Sequence, residues 1–427
     1  MHEDFEISIE GLSKIEGRAS LDVKVRKGKV ENVKLKISEN KRFYTQAIRG
    51  KQFESVPQLV SRICGTCSIA HLTCCTEAVE KALDIKPSEQ TMLLRKLMMY
   101  GMMIRDHAMH LYLFCLPDIF GKDSVLDFDE RQHELIHHAF DVKKAGNDLS
   151  KLIGGRAIHP PYVQIGQFSH LPDKNETKQV VEELKKVRSN IFELVKIFYD
   201  CPFSFRKRTR FVALATNDFS FLEGIIKSSQ KIIIPEENYW NHLHKVIIPY
   251  SQAAGFRFED KDFMVGALAR MNLNREKLHR ETKRDLAKYL RMFPSENIYH
   301  NNLAQAIEIM HCIDHSIEIL ESTDFKKEAP VEFKIKKCKG VGVIEAPRGT
   351  LYYAISLDKD GKILYGNLVI PTAQNQIKME NDIRTLVSRN LDKDKNFIQH
   401  EIEKLIRAFD PCMTCATHFL KVNWMIR

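Results

Sequence analysis

The sequence predicts a mainly α-helical α+β fold with small β-sheets toward its two ends. Three observations carry that expectation. Apolar residues recur at helical spacing around residues 53–83 and 91–114, in 125–155 and 173–200, and again in 303–320. Period-two alternation is confined to residues 5–37 and to a stretch leading from Gly342 to Ile370. Each alternating stretch holds a glycine-bearing turn, Arg26-Lys27-Gly28-Lys29 in the first and Asp360-Gly361 in the second.

Taken in order, Ala19–Val25 and Val30–Ile37 read as a hairpin with one buried face, preceded by Lys14-Ile15-Glu16-Gly17-Arg18. Gly17 suggests a tight backbone beside Glu16, although a lone carboxylate at such a place is most often simply exposed. Residues 53–83 read as helical around Cys64-Gly65-Thr66-Cys67. Pro87-Ser88-Glu89 opens the next helix, with Ser88 as cap. Its Met- and Leu-rich run to Phe114 implies deep burial, and it carries Arg105, Asp106, His107 and His110. Buried ionisable groups must be paired; a structural ion pair and a functional role both stay open for them. Gly154–Pro161 reads as a loop, 230–300 as mixed, and Asn301-Asn302 as the lead into a long helix. Strands around Gly349 follow, running to Pro371-Thr-Ala-Gln-Asn375, and a last helix spans Asn396–Phe409. No repeat or linker divides residues 1–427, and one domain is expected.

The chain is 44% apolar and 28% charged, with a formal charge of +9 spread over many Lys/Glu-rich segments. That distribution argues against nucleic acid binding. The densest basic run, Arg206–Arg210, reads as a solvated loop or a patch facing an acidic partner. No signal peptide or membrane-spanning apolar run is visible, so a cytoplasmic protein without a transmembrane segment is expected, unless a partner carries an export signal.

Ten cysteines in a chain this long do not make a disulfide scaffold. Four lie in two paired motifs at opposite ends, Cys64-Gly-Thr-Cys67 with His71 beyond, and Cys412-Met-Thr-Cys415 with His418 beyond. One Cys-x-x-Cys is a weak signal, but two of them can close a four-sulfur site around a soft metal. A structural zinc site usually draws its pairs from nearby stretches, whereas ligands from both chain ends suit a buried redox or catalytic metal. Spacing alone leaves both open.

The two motifs, Arg62–His71 and Asp410–His418, resemble the paired signatures of the nickel–iron hydrogenase large subunit. Lys14-Ile-Glu-Gly-Arg18, Arg105-Asp-His107, Glu345-Ala-Pro-Arg-Gly349 and Pro371–Asn375 follow in the family's order. Arg156-Ala-Ile-His159, Phe263–Leu268 and Asn301–Ala306 look most like its cytoplasmic, bidirectional, NAD(P)-linked branch. The resemblance implies that fold and the reversible cleavage of dihydrogen at a nickel–iron centre whose iron carries carbon monoxide and cyanide. By position it makes Cys64 and Cys412 terminal nickel ligands, and Cys67 and Cys415 bridging ones. Cys412 or Arg348 would serve as the base, although the ordinary pKa of an arginine, about 12.5 or above, favours a positioning role for Arg348. Asp106, Asp410 and Pro347 match the canopy around Arg348; Glu16 matches the carboxylate that removes the proton, and His71 a donor to a bridging sulfur.

One departure stands out. The family places a Glu nineteen residues before the first cysteine to help bind magnesium or iron, and here that position is Thr45. His418 and the Gln376 carbonyl match the other protein ligands of that site, which is therefore in doubt. Family precursors are cut after the position of His418, and whether Phe419–Arg427 is removed is open. With the four cysteines assigned, no iron–sulfur motif remains. The resemblance therefore implies an iron–sulfur small subunit and further electron-transfer subunits binding flavin and NAD(P). Two rival readings are a zinc-stabilised binding protein and the metal-free quinone-site relative of respiratory complexes; the four thiolates argue against the second.

Overall fold

In the computed structural model, which describes residues 4–39 and 43–417, the N-terminal alternation becomes a three-stranded antiparallel sheet. Its strands are β1 (Phe5–Ile9), β2 (Ala19–Arg26) and β3 (Lys29–Ile37), in that order. Leu21 pairs with Leu35 and Val23 with Val33, which turns one face of the sheet into the core. The hairpin read from sequence thus gains a third strand.

The helical reading of residues 53–83 is interrupted at the first cysteine motif. A short helix over Val56–Val60 and a 3-10 turn over Ser61–Ile63 give way to extended backbone at Cys64 (φ −149°, ψ 138°). Helix α1 (Ser68–Ala82) then starts directly after Cys67. The apolar spacing was continuous because both flanks are buried, but a continuous helix would hold the two sulfurs on its own surface instead of turning them together.

Helices α2 (Glu89–Ala108), α3 (Glu130–Gly154) and α4 (Lys174–Tyr199) follow. Ser88 caps α2 as expected, its hydroxyl accepting from the Thr91 amide at 3.0 Å. The run to Phe114 does not stay α-helical: Met109–Cys115 forms a π-helical segment. Helices α2 and α3 cross at Gly101 and Gly146, where a Cβ on either residue would lie 2.7 Å from the other's carbonyl oxygen. After α5 (Ala267–Asn274) comes α6 (His300–Ser322), which begins before Asn301 and Asn302 instead of after them. Asn301 accepts from the Leu268 amide at 2.9 Å and donates to the Ala408 carbonyl at 2.9 Å, so it binds three segments together from inside the helix. Helices α2, α3, α4 and α6 pack as a closed ring of neighbours.

The C-terminal three-stranded sheet is β4 (Cys338–Ala346), β5 (Gly349–Leu357) and β6 (Ile363–Val369). Pro371–Asn375 does not end a strand; it opens helix α7 (Pro371–Arg389), with Pro371 at the first turn, where its missing N–H leaves no bond unmade. Helix α8 (Lys395–Ala408) leads into the second cysteine motif. Helix α1 lies across β4 and β5, and α7 packs on β3. Two bonds fasten that last contact: Gln376 Nε2 donates to the Leu35 carbonyl at 3.1 Å, and Glu380 accepts from the Leu35 amide at 3.0 Å. The chain ends are thereby brought together, and buried apolar residues form one cluster from β1 to Ala416.

The basic run is only partly a solvated loop. Lys207 Nζ donates to the Asn381 carbonyl and Thr385 Oγ1 and pairs with Asp382 at 3.1 Å, while Arg210 donates to the Phe258 carbonyl. Among the described residues no helix is long and apolar enough to cross a membrane.

Candidate metal centre

Four sulfurs meet where α1 begins and α8 has ended. Cys64, Cys67, Cys412 and Cys415 are all buried, and their Sγ atoms lie within 4.8 Å of one another. Cys412 Sγ is 3.0 Å from Cys415 Sγ and 3.7 Å from Cys64 Sγ. Thr66 Oγ1 reaches Cys64 Sγ at 3.1 Å. Hydrogen bonds from Cys412, Cys415 and Cys67 pull the Cys64 thiol well below its ordinary value, whereas Cys415 is pushed well above its own, first by its bond with Cys412. A soft cation would let all four sulfurs ionise, so this donor set fits a thiophilic metal.

The second motif is held in place by its backbone. Glu16 and Cys412 form a parallel bridge, with the Met413 amide donating to the Glu16 carbonyl at 2.8 Å. The Cys412 amide donates to Thr372 Oγ1 at 2.9 Å, at the first turn of α7. Gly17 has φ +86°, and a Cβ there would stand 2.8 Å from Thr414 Oγ1. The glycine expected to mark a tight backbone therefore lets the N-terminal loop lie flat on the cysteine loop. Glu16 itself is half-buried; burial, then Cys64, raises its carboxyl above the usual range.

Arg348 crosses above the sulfurs. Its guanidinium is 3.6 Å from Cys67 Sγ, pairs with Asp106, and donates to Asp410 Oδ1 at 3.0 Å and to the Asp410 carbonyl at 3.2 Å. Burial opposes its charge, but Asp106 and Asp410 outweigh burial and hold it well above the ordinary arginine value. Asp410 is held low despite its burial, chiefly by Arg348. His71 is buried one turn after Cys67, and its Nδ1 pairs with the Tyr353 hydroxyl at 2.8 Å. Burial drives its pKa down to about 4, so the ring is neutral.

Several residues that the sequence did not single out frame the site. Arg270 is fully enclosed and binds Glu308 through two bonds of 2.7 Å, Glu345 at 2.8 Å, and the Pro347 carbonyl at 3.1 Å. Pro347 thus enters through its carbonyl, which ties the segment before Arg348 to α5. Gln305 donates to Asp410 Oδ2 at 2.8 Å, and His107 pairs with Glu308 at 2.9 Å. Arg105 turns away from this group toward the Thr66 and Ala157 carbonyls. Arg270 is a lone charge in 267–274, and Glu308 is a lone charge among Ala306, Ile307, Ile309 and Met310; no local signal says which partner would receive either one.

The region of the second implied metal is different. Thr45 and Ala416 line a cavity of about 260 Å³ together with Arg49 and Lys245, and among the described residues no carboxylate lines it. Thr45 and the described residues around it offer no anionic ligand there. The Gln376 side chain is turned to Leu35 and Ser251, and His418 lies outside the described residues.

With this geometry in view, the comparisons agree. The family model for nickel-dependent hydrogenase matches residues 42–152 and 236–418. The chain is 31% identical over 420 residues to sulfhydrogenase 2 subunit alpha of Pyrococcus furiosus, covering 97% of this chain and 100% of the relative. It is 26% identical over 467 residues to the NAD-reducing hydrogenase HoxS subunit beta of Cupriavidus necator, covering 96% and 94%. Among solved structures, an NAD+-reducing [NiFe]-hydrogenase in the H2-reduced state superposes with a TM-score of 0.83 at 23% identity, covering 97% of this chain and 99% of that one. The Ni-Fe-Se hydrogenase of D. vulgaris Hildenborough gives 0.79 at 20%, covering 97% and 100%. The chain belongs to the nickel-dependent hydrogenase family. Within it, the chain is the catalytic large subunit, and the zinc-protein and quinone-site readings fall away.

Proposed function

We propose that this subunit cleaves dihydrogen heterolytically and reversibly, and that Cys64, Cys67, Cys412 and Cys415 would hold a nickel–iron centre whose iron would bear carbon monoxide and cyanide. The observation that carries this is the convergence of four buried thiols under one guanidinium held by two carboxylates. When bound, the centre supplies the Lewis acid that polarises dihydrogen. Cys412 Sγ accepts the proton, and the Glu16 carboxylate next takes it outward; the backbone bridge between the two residues supports that pairing. A raised pKa suits Glu16, because a carboxylate made more basic by burial accepts a proton more readily. Arg348 stays cationic, presenting fixed positive charge to the site while Asp106 and Asp410 orient it. Neutral His71 steadies the first cysteine loop from the Tyr353 side.

Each dihydrogen yields two protons and two electrons. The other clustered metal-binding geometry among the described residues is Asp106, His107 and Asp410, which contains no sulfur. Electrons therefore pass to an iron–sulfur small subunit and, by analogy with the NAD-reducing relative, on to NAD(P) through a flavin subunit in the cytoplasm. The test is dihydrogen-dependent reduction of viologen and of NAD(P) by the purified complex, with Cys415→Ser as control. Viologen reduction without NAD(P) reduction would reject the acceptor; viologen reduction that survives Cys415→Ser would reject the site.

A further inference from the structure

One buried group near the metal centre has no part in the scheme above. His110 lies on the π-helical segment and is 2% exposed. Its Nδ1 is 2.6 Å from Gln305 Oε1, and its Nε2 is 2.8 Å from the Arg407 carbonyl oxygen. The Arg407 carbonyl can only accept, so Nε2 carries a proton. Gln305 Nε2 donates to Asp410 Oδ2, and Asp410 receives Arg348 on its other oxygen. Turning the Gln305 amide over would set its oxygen 2.8 Å from Oδ2 of the carboxylate that Arg348 pairs with. Gln305 Oε1 therefore faces His110, and Nδ1 must donate as well.

We propose that His110 is a buried imidazolium, donating from both ring nitrogens, and that it is a positioning residue fixing Asp410 and, through Asp410, the guanidinium of Arg348. The surrounding groups agree. Asp410 Oδ1 is the near counter-charge, at 3.7 Å from Nε2. The Arg407 guanidinium is turned away onto Asp118, at 2.5 and 2.8 Å. His107, on the helix that runs into the π segment, is tied to Glu308. Cys115 Sγ stands 3.3 Å from Nε2, and burial keeps it a thiol. Arg348 and His110 then balance Asp106 and Asp410, two charges against two. The π-helical turn supplies the register, because His110 must face α6 and the 407–410 segment together.

The protonation state stands apart from the hydrogenase chemistry; the link to Arg348 rests on the role proposed for it. Neutron diffraction from deuterium-exchanged crystals of the intact complex at pH 8 reads the first directly. Deuterium on both Nδ1 and Nε2 is expected, and deuterium on one nitrogen alone overturns the proposal. The second arm is His110→Gln, which keeps polar contacts but carries no charge. With nickel and iron contents retained, the midpoint potential of the nickel signal in a redox titration is expected to shift negative, because a nearby cation is gone. An unchanged midpoint overturns the charge role, even if activity falls. Should that variant fail to assemble, the neutron arm still decides.

Discussion

Glu16 and Cys412 are backbone partners across the length of the chain: a parallel bridge joins them, sealed by the Met413 amide on the Glu16 carbonyl at 2.8 Å. The carboxylate proposed to carry the proton and the thiol proposed to accept it are thus set by one shared hydrogen-bonding unit. Glu16→Gln keeps the bridge and the shape of the side chain. Turnover of dihydrogen is expected to fall roughly 100-fold or more, the usual loss of a proton-transfer group, with nickel and iron contents unchanged. Equal turnover would remove Glu16 from the proton route.

Gly17 allows that bridge to close. Alanine there meets two penalties: a left-handed backbone, about 1–2 kcal/mol, and a Cβ 2.8 Å from Thr414 Oγ1 and 2.9 Å from its amide. Gly17→Ala is expected to lower both thermal stability and nickel content per chain. A variant with full metal content and an unchanged Tm would show that the two loops need not touch.

Arg270 holds Glu308 and Glu345 in the core, where neither carboxylate meets water. Removing it leaves two buried carboxylates without their guanidinium, a loss of about 3–5 kcal/mol for a broken pair. Arg270→Met is expected to yield little soluble protein. Arg270→Lys should recover only part, because one ammonium cannot reproduce the fork that joins both acids. Wild-type unfolding midpoints for either variant would contradict this.

Stability should also depend on pH through Glu380. Burial raises its pKa to about 7 while it accepts from the Leu35 amide and the Tyr250 hydroxyl. The folded value lies above the unfolded one, so its contribution is complete below about 4.3 and is lost as pH rises through 7. Glu380→Gln retains the acceptor and cannot ionise. Between pH 5 and 8.5, its Tm is expected to fall less than that of the wild type. Parallel pH curves for the two proteins would refute the assignment.

Residues that carry chemistry were legible where they come in motifs. Cys64, Cys67, Cys412, Cys415, Arg348, Asp106 and Asp410 stood out by type and order, and the fold gathers them. Arg270, Glu308 and Gln305 did not, because a lone charged or polar residue in a helix looks the same whether a partner or solvent receives it. Geometry beyond simple periodicity was also hidden. The break at Cys64 lies between two buried helical flanks, and the π-helical turn at Met109–Cys115 keeps an apolar pattern that suits an α-helix equally well. Pro371 shows the same limit: a proline can close a strand or open a helix, and only the packing of α7 against β3 decides.

The most direct test of the metal site is metal analysis with sulfur-coordination spectroscopy at the nickel edge, on the purified complex and its Cys415→Ser variant. One nickel per chain bound by sulfur, accompanied by iron and lost or displaced in the variant, is the expected result. Zinc in its place, or nickel retained unchanged without Cys415, would contradict it.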